Sequence, residues 1–373
     1  MKLSVTLRHA PVSDADFETL TRSFTRIHPG YFPQWSAITA VGMKQKMYTL
    51  EARWILENEG ENGTETLEKN GENHTSGELA GVLPLIWMRS PIFGKHLISV
   101  PYVNVGGCVI PDGEKRDEIE SALVTEAVKL ADSLDVKYLE LRNVREITHP
   151  QLNFERRGKV LMELELPENT NELWKAVGPK VRNQIRKGEK AGLRAEWGGR
   201  ELLPEFYAVF AETMRNVGTP VYSRRLFEKI FEKLENHAEI CLVKTSENRL
   251  ASAAILVHGR EITEVPSAGT LRWANVHCAN MFLYWNLLRH SLEVRHARIF
   301  DFGRSSIGCG TWHFKKQWGA KEVPVVWKYY VREGSMDDVR PENATYGLAI
   351  RIWKRLPVWF TRLIGPWIVR GIP

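Results

Sequence analysis

The sequence predicts a mixed α/β (α+β) protein in which one domain plan is used twice. Three observations carry this. Apolar residues make up 43% and charged residues 26% of 373 residues, enough to bury a core, and the length suits two domains. Strand-like and helix-like periodicities alternate along the chain. The run of strands, then a helix, then a strand in the first half returns in the second, which a tandem repeat explains most economically.

In the first half, 48–56 and 79–88 have strand composition and flank the stretch 57–78, so they read as neighbouring strands joined by an overlong hairpin. Residues 96–103 form a further strand candidate ending at the Gly106-Gly107 turn. Ile119, Leu123, Ala127 and Leu130 keep helical spacing and predict a helix over 117–133, followed by a strand over 136–141. In the second half, Trp174, Val177, Val181 and Ile185 predict a helix over 171–192, stopped by Gly192. Helices follow over 202–217 and 223–235, with Ser223 as a cap. Strands over 239–244, 250–257 and 261–265, a helix over 280–294, and strands over 297–302 and 323–331 complete the pattern.

The charge is unevenly placed. Lys and Arg number 51 against 45 Asp and Glu, a net +6. Residues 57–78 carry seven Glu and one Lys, residues 175–194 seven cations and one Glu, and residues 340–373 six cations and one Glu. The acidic stretch, rich in Gly, Asn and Thr, reads as a solvated flexible loop. Cys108, Cys241, Cys278 and Cys309 stand singly. That argues against a disulfide framework or a zinc site and fits a reducing cytoplasm. No segment has the length of a membrane span, and the first residues lack the apolar core of a secretory signal. There is no nucleophile elbow, H-E-x-x-H or P-loop.

Three segments are able to carry chemistry. In 301–320 a strand runs into a Gly-rich loop that can hold Arg304, Ser305 and Lys315 with little freedom, while its glycines let backbone amides approach an anion or a carbonyl oxygen. The alternative is a structural turn with a local Asp301–Arg304 pair. His313 in this loop is an acid–base candidate. In the basic helix, Arg182, Arg186 and Lys190 line one face, a self-repelling row that a phosphate-bearing substrate or RNA would balance; the alternative is a solvated face. In 218–225, Tyr222, Arg224 and Arg225 can reach a ligand. After the last strand, Trp353, Trp359, Phe360 and Trp367 interleave with Arg351, Lys354, Arg355, Arg362 and Arg370. Such a basic amphipathic tail suits a membrane interface or the protein's own surface, with Pro357 and Pro366 expected to break it into short pieces.

Five stretches, GELAGVLPLIWMRSPIFGKHLISVPYVNVGG, VRNQIRKGEKAGL, MRNVGTPVYSRRLFE, NMFLYWNLL and DFGRSSIGCGTWHFKKQWGA, span most of 77–330. Through them the chain resembles FemAB-like acyltransferases with two tandem GNAT-like domains, and within these the FemAB-related proteins associated with PEP-CTERM exopolysaccharide systems. The resemblance implies a first GNAT-like domain over 1–165, a second over 166–333 carrying the acyl-transfer site, and a basic tail over 334–373. It implies N-acyl transfer, with an aminoacyl group foremost, to an amine of a cell-envelope or exopolysaccharide precursor. Phe314 and Lys315 match the family's Phe-Lys pair beside the donor's acyl group, where a cation would stabilise the oxyanion. Asp301, His313, water or the substrate itself would remove the proton. Tyr222, Tyr284, Asn280, Lys316 and Trp318 are expected beside the substrate, with Arg304, Ser305, Arg182, Arg186 and Arg224 on its anionic or polar groups.

No tightly bound cofactor and no metal is expected; the donor is aminoacyl-tRNA or acyl-CoA. Against acyl-CoA, residues 274–281 read ANVHCANM and lack the glycines of a pyrophosphate-cradling turn. The partners implied are a sugar or lipid-linked polysaccharide precursor, tRNA, and the inner-membrane surface, with a cytoplasmic location at that face. The two alternatives are an acyl-CoA-dependent acetyltransferase and a non-catalytic glycan-binding scaffold.

Overall fold

The computed structural model describes residues 1–56, 77–333 and 345–372. The strands form two mixed sheets of seven strands, each flanked by helices. In the first sheet, β1 (Lys2–Arg8), β2 (Lys46–Ile55), β3 (Glu78–Ser90), β4 (Gly94–Ile98) and β5 (Tyr138–Leu141) are neighbours in chain order, followed by β14 (Trp327–Val331) and β6 (Phe154–Arg156). In the second, the order is β13 (Lys321–Pro324), β7 (Lys159–Glu165), β12 (Ile299–Ser306), β11 (Ile262–Thr270), β10 (Leu250–His258), β9 (Ala238–Lys244) and β8 (Arg194–Gly198). Each sheet has one parallel pair, β4 with β5 and β11 with β12. A helix lies in sequence between the members of each pair: α3 (Arg116–Ser133) in the first and α8 (Ala279–Glu293) in the second. This is the duplicated plan that the sequence predicts.

β2 and β3 pair antiparallel out to Trp54 opposite Glu78, as the overlong hairpin requires. The acidic loop between them lies outside the described residues except for Gly77 and Glu78. The expected division at 165/166 runs across the hydrogen bonding. β7 pairs with β12 and β13 in the second sheet, while β14 inserts between β5 and β6 in the first. The strand expected over 323–331 is accordingly two strands. Pro324 has no N–H to donate and ends β13, and the chain then crosses to the other sheet.

The helix expected over 171–192 is also two, α4 (Thr170–Ala176) and α5 (Pro179–Lys190). Gly178 precedes a proline and is held extended, at φ −66° and ψ 160°, while Pro179 starts α5 at the position where its missing N–H costs nothing. After β8 come α6 (Leu203–Val217) and α7 (Arg224–Lys233), the latter capped by Ser223, whose hydroxyl accepts from the Arg225 N–H. In the tail, α10 (Thr345–Trp353) and α11 (Val358–Val369) flank Pro357, but Pro366 sits inside α11 instead of breaking it. Gly365 before it has no Cβ for the proline ring to strike. No helix among the described residues is long and apolar enough to cross a membrane.

Candidate functional site

The site is built where the two parallel strands of the second sheet part. β11 and β12 pair only over Ile262–Glu264 and Ile299–Asp301. Beyond that, β11 follows β10, and β12 follows β7 after a register shift between Asp301 and Arg304. Gly303 sits in this irregularity at φ +78°, and a Cβ there would lie 2.8 Å from Asn104 Nδ2, so both backbone and space call for glycine.

α9 (Gly310–Lys316) folds back along β12 and delivers Lys315, which is 7% exposed. Its Nζ donates to the carbonyls of Gly303 at 2.9 Å and Arg304 at 3.1 Å. Two of the three ammonium protons are thereby committed, and one remains for a ligand. Burial pulls the Lys315 pKa down to about 8, against the opposing pull of Asp301. Phe314 lies edge-on to Tyr284 at 4.9 Å, and Tyr284 stacks on Phe302 at 5.6 Å. Phe314 of α9, Tyr284 of α8 and Phe302 of β12 thus form an apolar wall beside the cation.

Beneath Lys315 lies a row of carboxylates that sequence reasoning missed. Glu163 and Glu264 are both register partners of Asp301, so three neighbouring strands place three buried acids side by side. The first half of the chain closes over them. Arg26 donates to Glu163 at 2.8 Å and Asn104 donates to Glu264 at 2.7 Å. The Gly303 N–H donates to Asp301 at 2.7 Å. Burial raises Asp301 well above the usual carboxylate range, helped by the charges of Glu264 and Glu163, and lifts Glu264 to about 7. Nearby, burial and Arg26 lower His28 to about 3, so its ring is neutral at pH 7. His28, Glu163 and Asp301 are the described residues able to offer three ligand atoms to a cation. Arg26 and Lys315 already oppose the same carboxylates, so a proton or water answers their free oxygens equally well.

A line of cationic and aromatic groups leads away from Lys315 along the junction of the halves. Arg304 lies 3.8 Å from the Trp327 ring, and Arg142, bound to Glu140 at 2.5 Å, lies 4.2 Å from the same ring. Burial and the neighbouring Arg142 charge bring the Arg304 pKa down to about 10. Tyr222 feels both arginines, and its ring is 5.4 Å from Tyr102. The Tyr102 hydroxyl donates to the Arg370 carbonyl at 3.0 Å, tying in the tail. There a surface cavity of about 160 Å³ is lined by Lys44, Ser223, Arg225, Trp367 and Arg370 and by no acid. None of the three cations forms an ion pair with a described residue; Arg370 rests on the Trp367 ring at 4.3 Å.

The structure thus brings Lys315, Phe314, Tyr284 and Asp301 together, with Arg304 and Tyr222 next along the junction. Ser305 is buried beside Thr311, and Asn280 accepts a hydrogen bond from Thr270. Trp318 is core. The others lie elsewhere. His313 is exposed against Trp312, two residues and so half a helical turn from Lys315. Lys316 pairs with Glu322, and Arg224 with Glu228. Arg186 is exposed beside Trp174.

Arg182 donates to the carbonyls of Trp174, Lys175 and Val177, closing the end of α4 instead of meeting a ligand. We therefore expect Arg182→Ala to cost about 1–3 kcal/mol of stability, with donor and acceptor KM unchanged. Denaturant unfolding beside steady-state kinetics checks this, and a KM effect without a stability loss would overturn it. The pyrophosphate turn found missing in the sequence has no glycine substitute: 272–277 form a 3-10 turn leading into α8.

Residues 151–255 match the FemAB family. Among solved structures, the crystal structure of FemX superposes with a TM-score of 0.58 at 14% identity, covering 92% of this chain and 100% of that one. L-PGS from Bacillus licheniformis gives 0.51 at 11% identity over 94% and 99% of the two chains. A conserved protein of unknown function from Bacteroides thetaiotaomicron VPI-5482 gives 0.52 at 9% identity over 88% and 100%. At these identities what is shared is the fold, two GNAT-like units in tandem. No curated protein matches the chain.

Proposed function

We propose, for a chain whose residues 151–255 match the FemAB family, N-acyl transfer to an amine of a phosphate-bearing, lipid-linked envelope or exopolysaccharide precursor. The family match supports an acyltransferase-type function; the aminoacyl donor and the acceptor are our reading. The observation that carries it is Lys315, a buried cation with one proton unspent, beside the Phe314–Tyr284 wall.

In this reading the donor's acyl carbonyl oxygen faces the free Lys315 proton. The acceptor nitrogen attacks the carbonyl carbon, and Lys315 stabilises the negative oxygen that forms. The bond to the leaving oxygen of a charged tRNA then breaks, an amide remains, and the proton lost by the amine passes through water to the leaving group. The cavity of Lys44, Arg225 and Arg370 suits the acceptor's phosphate. The enzyme would work on the cytoplasmic face of the membrane.

Donor discrimination tests the reading. Purified protein is offered labelled acetyl-CoA or tRNA charged with labelled amino acids, with membrane extract as the acceptor source. Label passing from tRNA into the lipid fraction is the expected result. Label from acetyl-CoA alone would replace the aminoacyl donor by an acyl-CoA. Label from neither, together with tight glycan binding, would replace catalysis by a scaffold role.

A further inference from the structure

The tail helices present the wrong face to water. Thr361, Gly365 and Val369, spaced i, i+4, i+8 on α11, are buried, and Gly365 packs against the Val221 backbone. Trp359, Leu363 and Trp367, with the same spacing, point outward and are 68%, 64% and 64% exposed. A helix on the surface of a water-soluble domain has the reverse arrangement, with its bulky apolar stripe inward. α10 repeats the pattern: Trp353 is buried while Leu348 and Ile352 are exposed.

The tail is nonetheless firmly seated, because Gln45 and Tyr102 both donate to the Arg370 carbonyl and Arg215 donates to that of Lys354. Its outer face is therefore held in place by the body of the protein. Residues 345–372 hold five Arg or Lys and no Asp or Glu. We propose that this outer face rests in the headgroup region of an anionic bilayer, with α10 and α11 lying flat.

The chemistry fits that partner. Trp and Leu side chains enter the acyl boundary while Arg351, Lys354, Arg355, Arg362 and Arg370 meet lipid phosphates. At twelve residues, α11 is about 18 Å long, too short to cross. A second copy of this chain is a poor occupant, since a twofold contact would set five cations against five. The inference deepens the lipid-linked acceptor reading by orienting the phosphate cavity, which shares Trp367 and Arg370 with this face. Its test does not depend on acyl transfer.

The full chain is floated with vesicles of equal parts phosphatidylcholine and phosphatidylglycerol, and with phosphatidylcholine alone. We expect flotation with the anionic vesicles, weakened by salt. For the Trp359→Ser, Leu363→Ser double variant, whose changes are both at exposed positions, we expect partitioning to drop roughly a hundredfold. Far-UV circular dichroism confirms that the variant is folded. Equal partitioning of variant and wild type would overturn the proposal. So would a wild-type dimer that the double variant loses while neither protein floats, because the face would then belong to a second copy.

Discussion

Lys315→Met lowers kcat by about 100- to 1000-fold, the usual cost of removing one oxyanion donor, while leaving the donor KM close to wild type. The reason is where the charge acts. Lys315 has two protons tied to the Gly303 and Arg304 carbonyls, which fixes the direction of the third. A donor fixed before the reaction meets the oxygen most strongly when that oxygen becomes negative, so the loss falls on the chemical step. Methionine keeps the stem but removes the two hydrogen bonds, so a lower melting temperature is expected as well, and single-turnover rates are read below it. A variant that keeps more than about a tenth of its turnover would remove the role.

The same residue sets a pH limit. Burial brings Lys315 from 10.5 down to about 8. The stabilising cation is present below that value and is lost as pH climbs through it. Turnover of wild type at saturating donor is therefore expected to fall above about pH 8. An acceptor amine that had to lose its own proton would impose the opposite slope, which saturating acceptor with a low-pKa amine removes.

How much of this was readable in advance depends on whether the signal is local. The β2–β3 hairpin, the α3 periodicity and the Ser223 cap are written in consecutive residues, and the structure carries all three. The segment carrying Lys315 was readable because its glycines, cations and aromatics are dense, but the expected loop is the end of β12, which holds Arg304 and Ser305, followed by the helix α9, which holds Lys315. The carboxylate row was not. Glu163, Glu264 and Asp301 come from three different strands, and only the register of those strands, distant in sequence, makes them neighbours. His28 and Asn104 come from the other half of the chain, so no spacing rule reaches them. The crossing of β14 into the first sheet is likewise a non-local choice that periodicity cannot encode. Arg182 misled for the opposite reason. Its helical spacing with Arg186 and Lys190 is real, but the break at Gly178 gave it carbonyls to cap.

Lys44 and Arg225 provide the second large effect. They come from opposite halves of the chain, and with Arg370 they face one cavity without a carboxylate among its lining residues. Three cations gathered with no anion repel one another, and a bound phosphate is the simplest relief. Each charge-assisted hydrogen bond to such a group contributes about 1.5–3 kcal/mol. Lys44→Ala and Arg225→Ala are therefore each expected to raise the acceptor KM about tenfold, and the double variant about a hundredfold, with kcat changed far less. Both side chains are exposed, so folding should survive. The comparison that decides is an acceptor amine with its phosphate removed. Its KM should already be high in wild type and should not rise further in the variants. An equal rise for both acceptors would mean that the two cations shape the surface without reading the phosphate, and the acceptor would have to be sought elsewhere along the junction.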